Sequence, residues 1–185
     1  VNSTMACSIV AAKKNIGLIH VEAGIRSNDR KMPEEINRLI SDSIANYLLP
    51  PSEDAVQNLI NEGHAPETIQ LVGNVMIDTL EYSQDKIMAS TILENHGLEE
   101  NNYVTLTMHR PSNTDDKAAL ERILSAIDYI QSKLTVVFPI HPRTQKMITQ
   151  FGLSDVVEAM PNLILTEPLG YFDFGKLVAK SKFVI

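Results

Sequence analysis

Short, solid apolar runs alternate along this chain with longer stretches in which apolar residues recur at helical spacing. Residues 16–21, 47–49, 69–72, 103–108, 135–140 and 163–165 form the short runs and predict strands, with 16–21 and 103–108 buried. The run 182–185 reads as the beginning of a last strand. Between them, Ser3 or Thr4 is a candidate cap for a helix reaching about residue 13. Pro33-Glu34-Glu35 opens a second helix, with proline in the first turn and acids where the helix dipole favours them. Its expected apolar face is Ile36, Leu39, Ile40 and Ile44. Further helices are predicted over 53–62, ended by Gly63, and over 77–89, 115–132, 144–151 and 172–180. In the helix 115–132, Leu120, Ile123, Leu124 and Ile127 fall on one face. A linker containing Gly97 and Asn101-Asn102 follows the helix 77–89.

Strand–helix alternation with buried strands implies an α/β protein built on mostly parallel sheet. Two such runs joined by a polar helix predict two doubly wound domains with a cleft between them. Composition narrows the function. With 185 residues and 44% apolar content, the chain is large enough for one ordinary domain or two small ones. A net charge of -7 argues against non-specific nucleic-acid binding. The single cysteine, Cys7, rules out an internal disulfide and disfavours a cysteine-based metal site, which suits the cytoplasm. No apolar run approaches the roughly 20 residues of a membrane span, so no membrane insertion is expected. Neither GxGxxG nor GxxxxGK[ST] occurs, which removes support for the usual dinucleotide and P-loop readings.

Candidate chemistry collects at strand ends, where open α/β sheets bind ligands. Glu22 lies just past the strand 16–21, in His20-Val21-Glu22-Ala23-Gly24. It reads either as a cap for the next turn or as a carboxylate raised toward a general-base pKa by a cleft. Glu34 has a bland reading, favourable interaction with the helix dipole or an i,i+4 pair with Arg38, and a functional one, in which it meets the same ligand as Glu22. His109-Arg110 follows the strand 103–108, and His141-Pro142-Arg143 follows 135–140. Two strand-end histidines, each near an arginine, suit an anion such as phosphate, with Thr107 and Ser112 as hydroxyl donors. Phe172 and Phe174 are either core packing or rings that stack on a flat base.

Together these segments resemble the non-hydrolysing UDP-N-acetylglucosamine 2-epimerase family. The matching stretches are HVEAGIRS (20–27), PEEINR (33–38), the GN pair with a following ID (73–74, 77–78), TMHRPSN (107–113), FPIHP (138–142) and the PLGYFDF region (168–174). The resemblance implies two Rossmann-like domains in a glycosyltransferase-B arrangement, both truncated in this chain. Residues 1–73 would be the C-terminal part of the first domain. Residues 74–185 would be a linker helix and the N-terminal part of the second, UDP-binding domain. It further implies epimerisation at C2 of a UDP-N-acetylhexosamine, UDP-GlcNAc to UDP-ManNAc, by elimination and re-addition of UDP, with no metal or nicotinamide cofactor. By motif, Glu22, Glu34 and His109 match catalytic residues, Arg110 and His141 match positions near the phosphates, and Phe174 matches the aromatic near uracil. A homodimer of the full-length protein is implied as well. The family's Gly-Asp pair would precede Val1 and its Ser-Gly-Gly loop would follow Ile185, so this piece by itself is expected to have little activity. Alternatives within the resemblance are a 2-epimerase for a UDP-diacetamido-uronic acid and a hydrolysing 2-epimerase. Alternatives outside it are a glycosyltransferase of the same architecture and a non-catalytic UDP-sugar-binding or regulatory remnant.

Overall fold

A computed structural model describes residues 2–108 and 110–185. The chain divides into two compact units, one through Tyr82 and one from Ser83 to Ile185.

The first unit opens with α1 (Asn2–Lys13), β1 (Ile19–Val21), α2 (Pro33–Ile44), β2 (Tyr47–Leu49) and α3 (Glu53–Asn61). A short 3-10 turn, Pro66–Thr68, comes before α4 (Val75–Met88), which carries the division between the units. β1 and β2 pair in parallel, Ile19 opposite Tyr47 and Val21 opposite Leu49. Ala23, Leu48 and Leu59 form the small buried core, with Ala45 and Ile69 against it.

Several expectations need correction here. The helix α1 starts at Asn2, so Ser3 and Thr4 lie inside it rather than capping it. Strand 16–21 shrinks to β1, and it is not buried: Ile19 and Val21 are 58% and 44% exposed. Among the described residues β1 has a strand on one side only. The run 69–72 is not a strand. It lies along β2 with one parallel bridge, Leu48 to Ile69, while Gln70 N–H donates to Leu48 and Val72 N–H to Pro50. Pro50, which faces this segment, has no N–H to donate back, so the ladder cannot propagate. The helix α2 differs most from expectation. Its fully buried residues are Glu35, Asn37, Ser41 and Asp42, all polar, while Ile36 is exposed.

The second unit follows the sequence pattern more closely. Its elements are α5 (Ile92–Asn95), β3 (Tyr103–Thr105), α6 (Pro111–Thr114), α7 (Lys117–Gln131), β4 (Thr135–Pro139), α8 (Pro142–Gln150), α9 (Ser154–Glu158), β5 (Leu163–Thr166), α10 (Tyr171–Lys180) and β6 (Phe183–Val184). The four strands are all parallel, in the spatial order β5-β4-β3-β6. The first strand of the unit therefore sits inside the sheet, with the second and third on one side and the fourth on the other. Strand order reverses between β3 and β6, the position at which doubly wound sheets take ligands outside the strands' carboxyl ends. The ladder continues past β3: Leu106 N–H donates to Val137 and Thr107 N–H to Ile185.

The helix α7 starts at Lys117 because the Asp116 side chain caps it, accepting from Ala119 N–H at 2.7 Å. Leu120, Leu124 and Ile127 are buried with Val104, Leu106, Val136, Phe138 and Ile140 in the main core, and Ile123 packs against it. Across the sheet, Tyr103, Val137 and Leu177 form a second cluster with Ile92 and Leu93. Those two residues belong to α5, a single helical turn inside the expected linker. α9 is likewise too short to show periodicity in the sequence.

Candidate active site

In the first unit the site grows from the turn after β1. Glu22 adopts φ +65° and Gly24 φ +78°. A left-handed conformation is strained for a residue with a side chain, and such strain collects at functional positions. Gly24 is required outright, because a Cβ there would meet the Ala55 carbonyl oxygen at 2.3 Å. The Glu22 N–H donates to the Leu49 carbonyl at 3.0 Å, which extends the β1–β2 ladder by one rung. Its half-buried carboxylate has no partner among the described residues. It lines a cavity of about 450 Å³ together with Thr4, His20, Asn37, Arg38 and Ser41.

The buried polar face of α2 explains how the turn is held. Asp42 is fully buried, and its Oδ1 lies 2.5 Å from His20 Nδ1. Its Oδ2 accepts from Gly24 N–H at 3.1 Å and from Arg26 Nη2 at 2.7 Å. Arg26 also forks onto Glu62, at 2.7 and 2.6 Å. Burial alone would raise the Asp42 pKa, but the hydrogen bonds from His20, Arg26 and Gly24 outweigh it and hold the carboxyl below its ordinary range. Burial also opposes the charge on Arg26, and the two carboxylates more than restore it, so its pKa is raised. Glu35 is used in the same way. It accepts from Ser27 N–H, Ser27 Oγ and Asn28 N–H, each at 3.0 Å. Burial pushes its pKa up, and these bonds with the Arg26 charge bring it below the usual value.

Of the adjacent glutamates, then, Glu35 is spent on the 25–28 loop. Glu34 sits half-buried in the first turn of α2 and is not among the residues lining the cavity. The Arg38 pair also differs from expectation: it approaches Glu35, at 3.5 Å, rather than Glu34. That contact is long, and Arg38 remains a half-buried cation on the cavity wall. The sequence reading missed Asp42, Arg38 and Asn37 as site builders. Their signal is a polar stripe on α2 at i, i+3, i+7 from Glu35, with Asn37 and Ser41 four residues apart.

In the second unit, His109 lies outside the described residues, as do the side chains of Pro111 and Ser112. Arg110 is exposed beside α6, where its carbonyl accepts from Asn113 N–H at 2.9 Å. His141 caps α8, its Nδ1 accepting from Arg143 N–H at 3.2 Å. That bond sets the tautomer: in the neutral ring Nε2 carries the proton and is a donor. Thr144, in the first turn of the same helix, donates to the Met108 carbonyl at 3.1 Å and so ties α8 to the segment entering His109. Arg143 is not an open cation, because it pairs with Asp115 at 3.2 and 2.5 Å. Phe174 is half-buried in the first turn of α10, whereas Phe172 is exposed, with Lys86 Nζ 5.8 Å from its ring centre. Among the described residues no cluster of histidine, cysteine and acidic side chains suits a metal, and no helix is long and apolar enough to cross a membrane.

An α/β chain whose second sheet has the strand order of a nucleotide-binding fold, with polar groups gathered after its parallel strands, defines a broad class. The comparisons narrow it. The family model for UDP-N-acetylglucosamine 2-epimerase matches residues 1–185, and the chain belongs to that family. It is 41% identical to a UDP-N-acetylglucosamine 2-epimerase homolog of Methanococcus maripaludis, covering all of this chain and 51% of the relative. It is 34% identical to the UDP-2,3-diacetamido-2,3-dideoxy-D-glucuronate 2-epimerase of Pseudomonas aeruginosa, covering all of this chain and 50% of that protein. Among solved structures it is similar to the Methanocaldococcus jannaschii UDP-GlcNAc 2-epimerase in complex with UDP-GlcNAc and UDP. The TM-score is 0.87 and the identity 35%, over all of this chain and 52% of that one. The chain thus spans about half the length of the relatives it matches.

Proposed function

We propose that this chain contributes to a 2-epimerase that inverts C2 of a UDP-N-acetylhexosamine, converting UDP-GlcNAc to UDP-ManNAc. One observation carries the reading within the family: Glu22 is held in a left-handed conformation, its carboxylate without a partner among the described residues, on a cavity that also holds a cation, Arg38. A carboxylate on a cavity wall, committed to no other group among the described residues, can reach a substrate proton and take or return it.

In this reading Glu22 and Glu34 handle the C2 proton, and UDP leaves by cleavage of the anomeric C–O bond. That departure gives a glycal, to which UDP adds back with protonation on the other face. Arg110, the Nε2–H donor of His141 and His109 meet the negative charge that grows on the departing phosphate. Phe174 stacks on the uracil ring. Support for Glu34 rests on its motif and its place in the first turn of α2. Glu22 is the stronger assignment, because it lines the cavity and Glu34 does not.

A second substrate, a UDP-diacetamido-uronic acid, is raised by the 34% identity to the Pseudomonas enzyme over the whole chain, below the 41% to the UDP-GlcNAc 2-epimerase homolog. Incubating the full-length protein with each UDP-sugar and reading the product by NMR separates the two. UDP-ManNAc from UDP-GlcNAc is the expected product. Turnover of the diacetamido-uronate alone contradicts that assignment, and release of free ManNAc without UDP-ManNAc contradicts the non-hydrolysing chemistry.

A further inference from the structure

The cavity beside Glu22 holds a polar group that the reading above leaves unused. His20 lines it, with its side chain only 15% exposed, and its Nδ1 is committed to Asp42. The opposite nitrogen, Nε2, is the one left for an occupant. Asp42 meets the segment 20–26 at three points: the His20 ring, the Gly24 N–H and the Arg26 guanidinium. Glu22 lies inside that span, in its left-handed conformation. A network that merely closed the turn would need only Gly24 and Arg26. The contact at the ring does something more. A carboxylate accepting from Nδ1–H fixes the ring's orientation and leaves Nε2 of the neutral imidazole as an acceptor.

We propose that Asp42 is a positioning residue with two tasks, holding the turn that presents Glu22 and setting His20 so that Nε2 accepts from a hydroxyl or amide N–H of the bound amino sugar. This rests on the reading of Glu22 as the group that works at C2. Donors of that kind are what an N-acetylhexosamine presents around C2 and C3, and the carboxylate of Glu22 competes for none of the contacts that orient the ring. The arrangement also accounts for a buried carboxylate on α2, whose inward face was expected to be Ile36, Leu39, Ile40 and Ile44. Its place is set by the turn it grips rather than by a core.

Chemical rescue tests the proposal in the full-length protein. His20→Ala leaves a hole beside Asp42 that free imidazole fits. The expected result is a fall of about tenfold or more in kcat/KM for the UDP-sugar, the scale of one lost hydrogen bond to substrate, with UDP affinity unchanged. Added imidazole then restores activity several-fold. In His20→Ala combined with Asp42→Asn the restoration disappears, because nothing orients the imidazole. Should the double variant fail to fold, rescue of the single variant still decides. Normal kcat/KM in His20→Ala, or a loss that imidazole does not relieve, overturns the inference. Glu22→Gln serves as the control. If it turns over normally, the reading of Glu22 has failed. If it is inactive while His20→Ala is normal, only the role of the His20–Asp42 pair has failed.

Discussion

The two units hold their functional groups by different physics. In the first, a small apolar core of Ala23, Leu48 and Leu59 is supplemented by buried ions, and the turn bearing Glu22 is gripped by Asp42, Arg26 and Glu35. In the second, an extended apolar core fixes four parallel strands, and the polar residues sit at their ends. The contrast teaches where precision comes from. A strand end is placed by its sheet, so residues after β3 and β4 inherit their positions from packing. The turn after β1 takes one ladder rung from its sheet, Glu22 N–H to Leu49, and beyond that rung side-chain hydrogen bonds hold it. Buried charges are costly unless paired, so the first unit should answer to charge and to acid, the second to volume.

The largest expected effect lies in the second unit. Phe138 is buried in the main core, and Phe138→Ala should lower stability by about 3–5 kcal/mol in urea unfolding. Peptide-resolved hydrogen exchange should show loss of protection across 103–108 and little change across 20–28. The reciprocal variant, Arg26→Met, leaves Asp42 and Glu62 without their shared cation. It should cost about 3 kcal/mol, with faster exchange confined to 20–28. Equal loosening of both units by either variant would break the comparison.

Next in size is pH. Asp42 and Glu35 are held below their ordinary values, so their contribution is complete above the unfolded value of about 4 and is lost as pH falls through the lower folded values. Acid should therefore loosen 20–28 before 103–108. The second unit has its sensitivity at the other extreme. Burial, and then the nearby Glu100, push the Tyr103 phenol up to about 12. Its folded form is favoured while neutral, so that stability is present below the unfolded value of about 10 and lost as pH rises through 12. The smallest effect is Tyr103→Phe. The hydroxyl donates to the Leu177 carbonyl at 2.6 Å, but Thr105 Oγ1 also donates there, at 3.2 Å. A loss of roughly 1 kcal/mol is expected, because the carbonyl keeps a partner.

The same contrast decides what was legible in the sequence. The helix over Leu120–Ile127 and the strands of the second sheet announce themselves by periodicity, since apolar burial dictates both pattern and fold. The family resemblance was legible from motifs such as HVEAGIRS and PEEINR, and the family match covers the same residues. The face of α2 that turns inward was not legible. Hydrophobicity pointed to Ile36 and its neighbours, whereas the buried residues are Glu35, Asn37, Ser41 and Asp42, whose partners on the 20–28 turn lie elsewhere in the chain. Position after a strand marked Glu22 as a candidate, but its left-handed backbone is a property of the fold. The 69–72 run failed as a strand because Pro50 on its neighbour withholds the donor a ladder needs.

The central claim is that the Glu22 carboxylate works on the proton at C2. The direct measurement is exchange of that hydrogen with deuterated water, followed by NMR in the full-length protein and its Glu22→Gln variant, alongside UDP binding to each. The account predicts exchange slowed by at least about a hundredfold in the variant, with UDP affinity retained. Exchange at the unmodified rate in Glu22→Gln would contradict it.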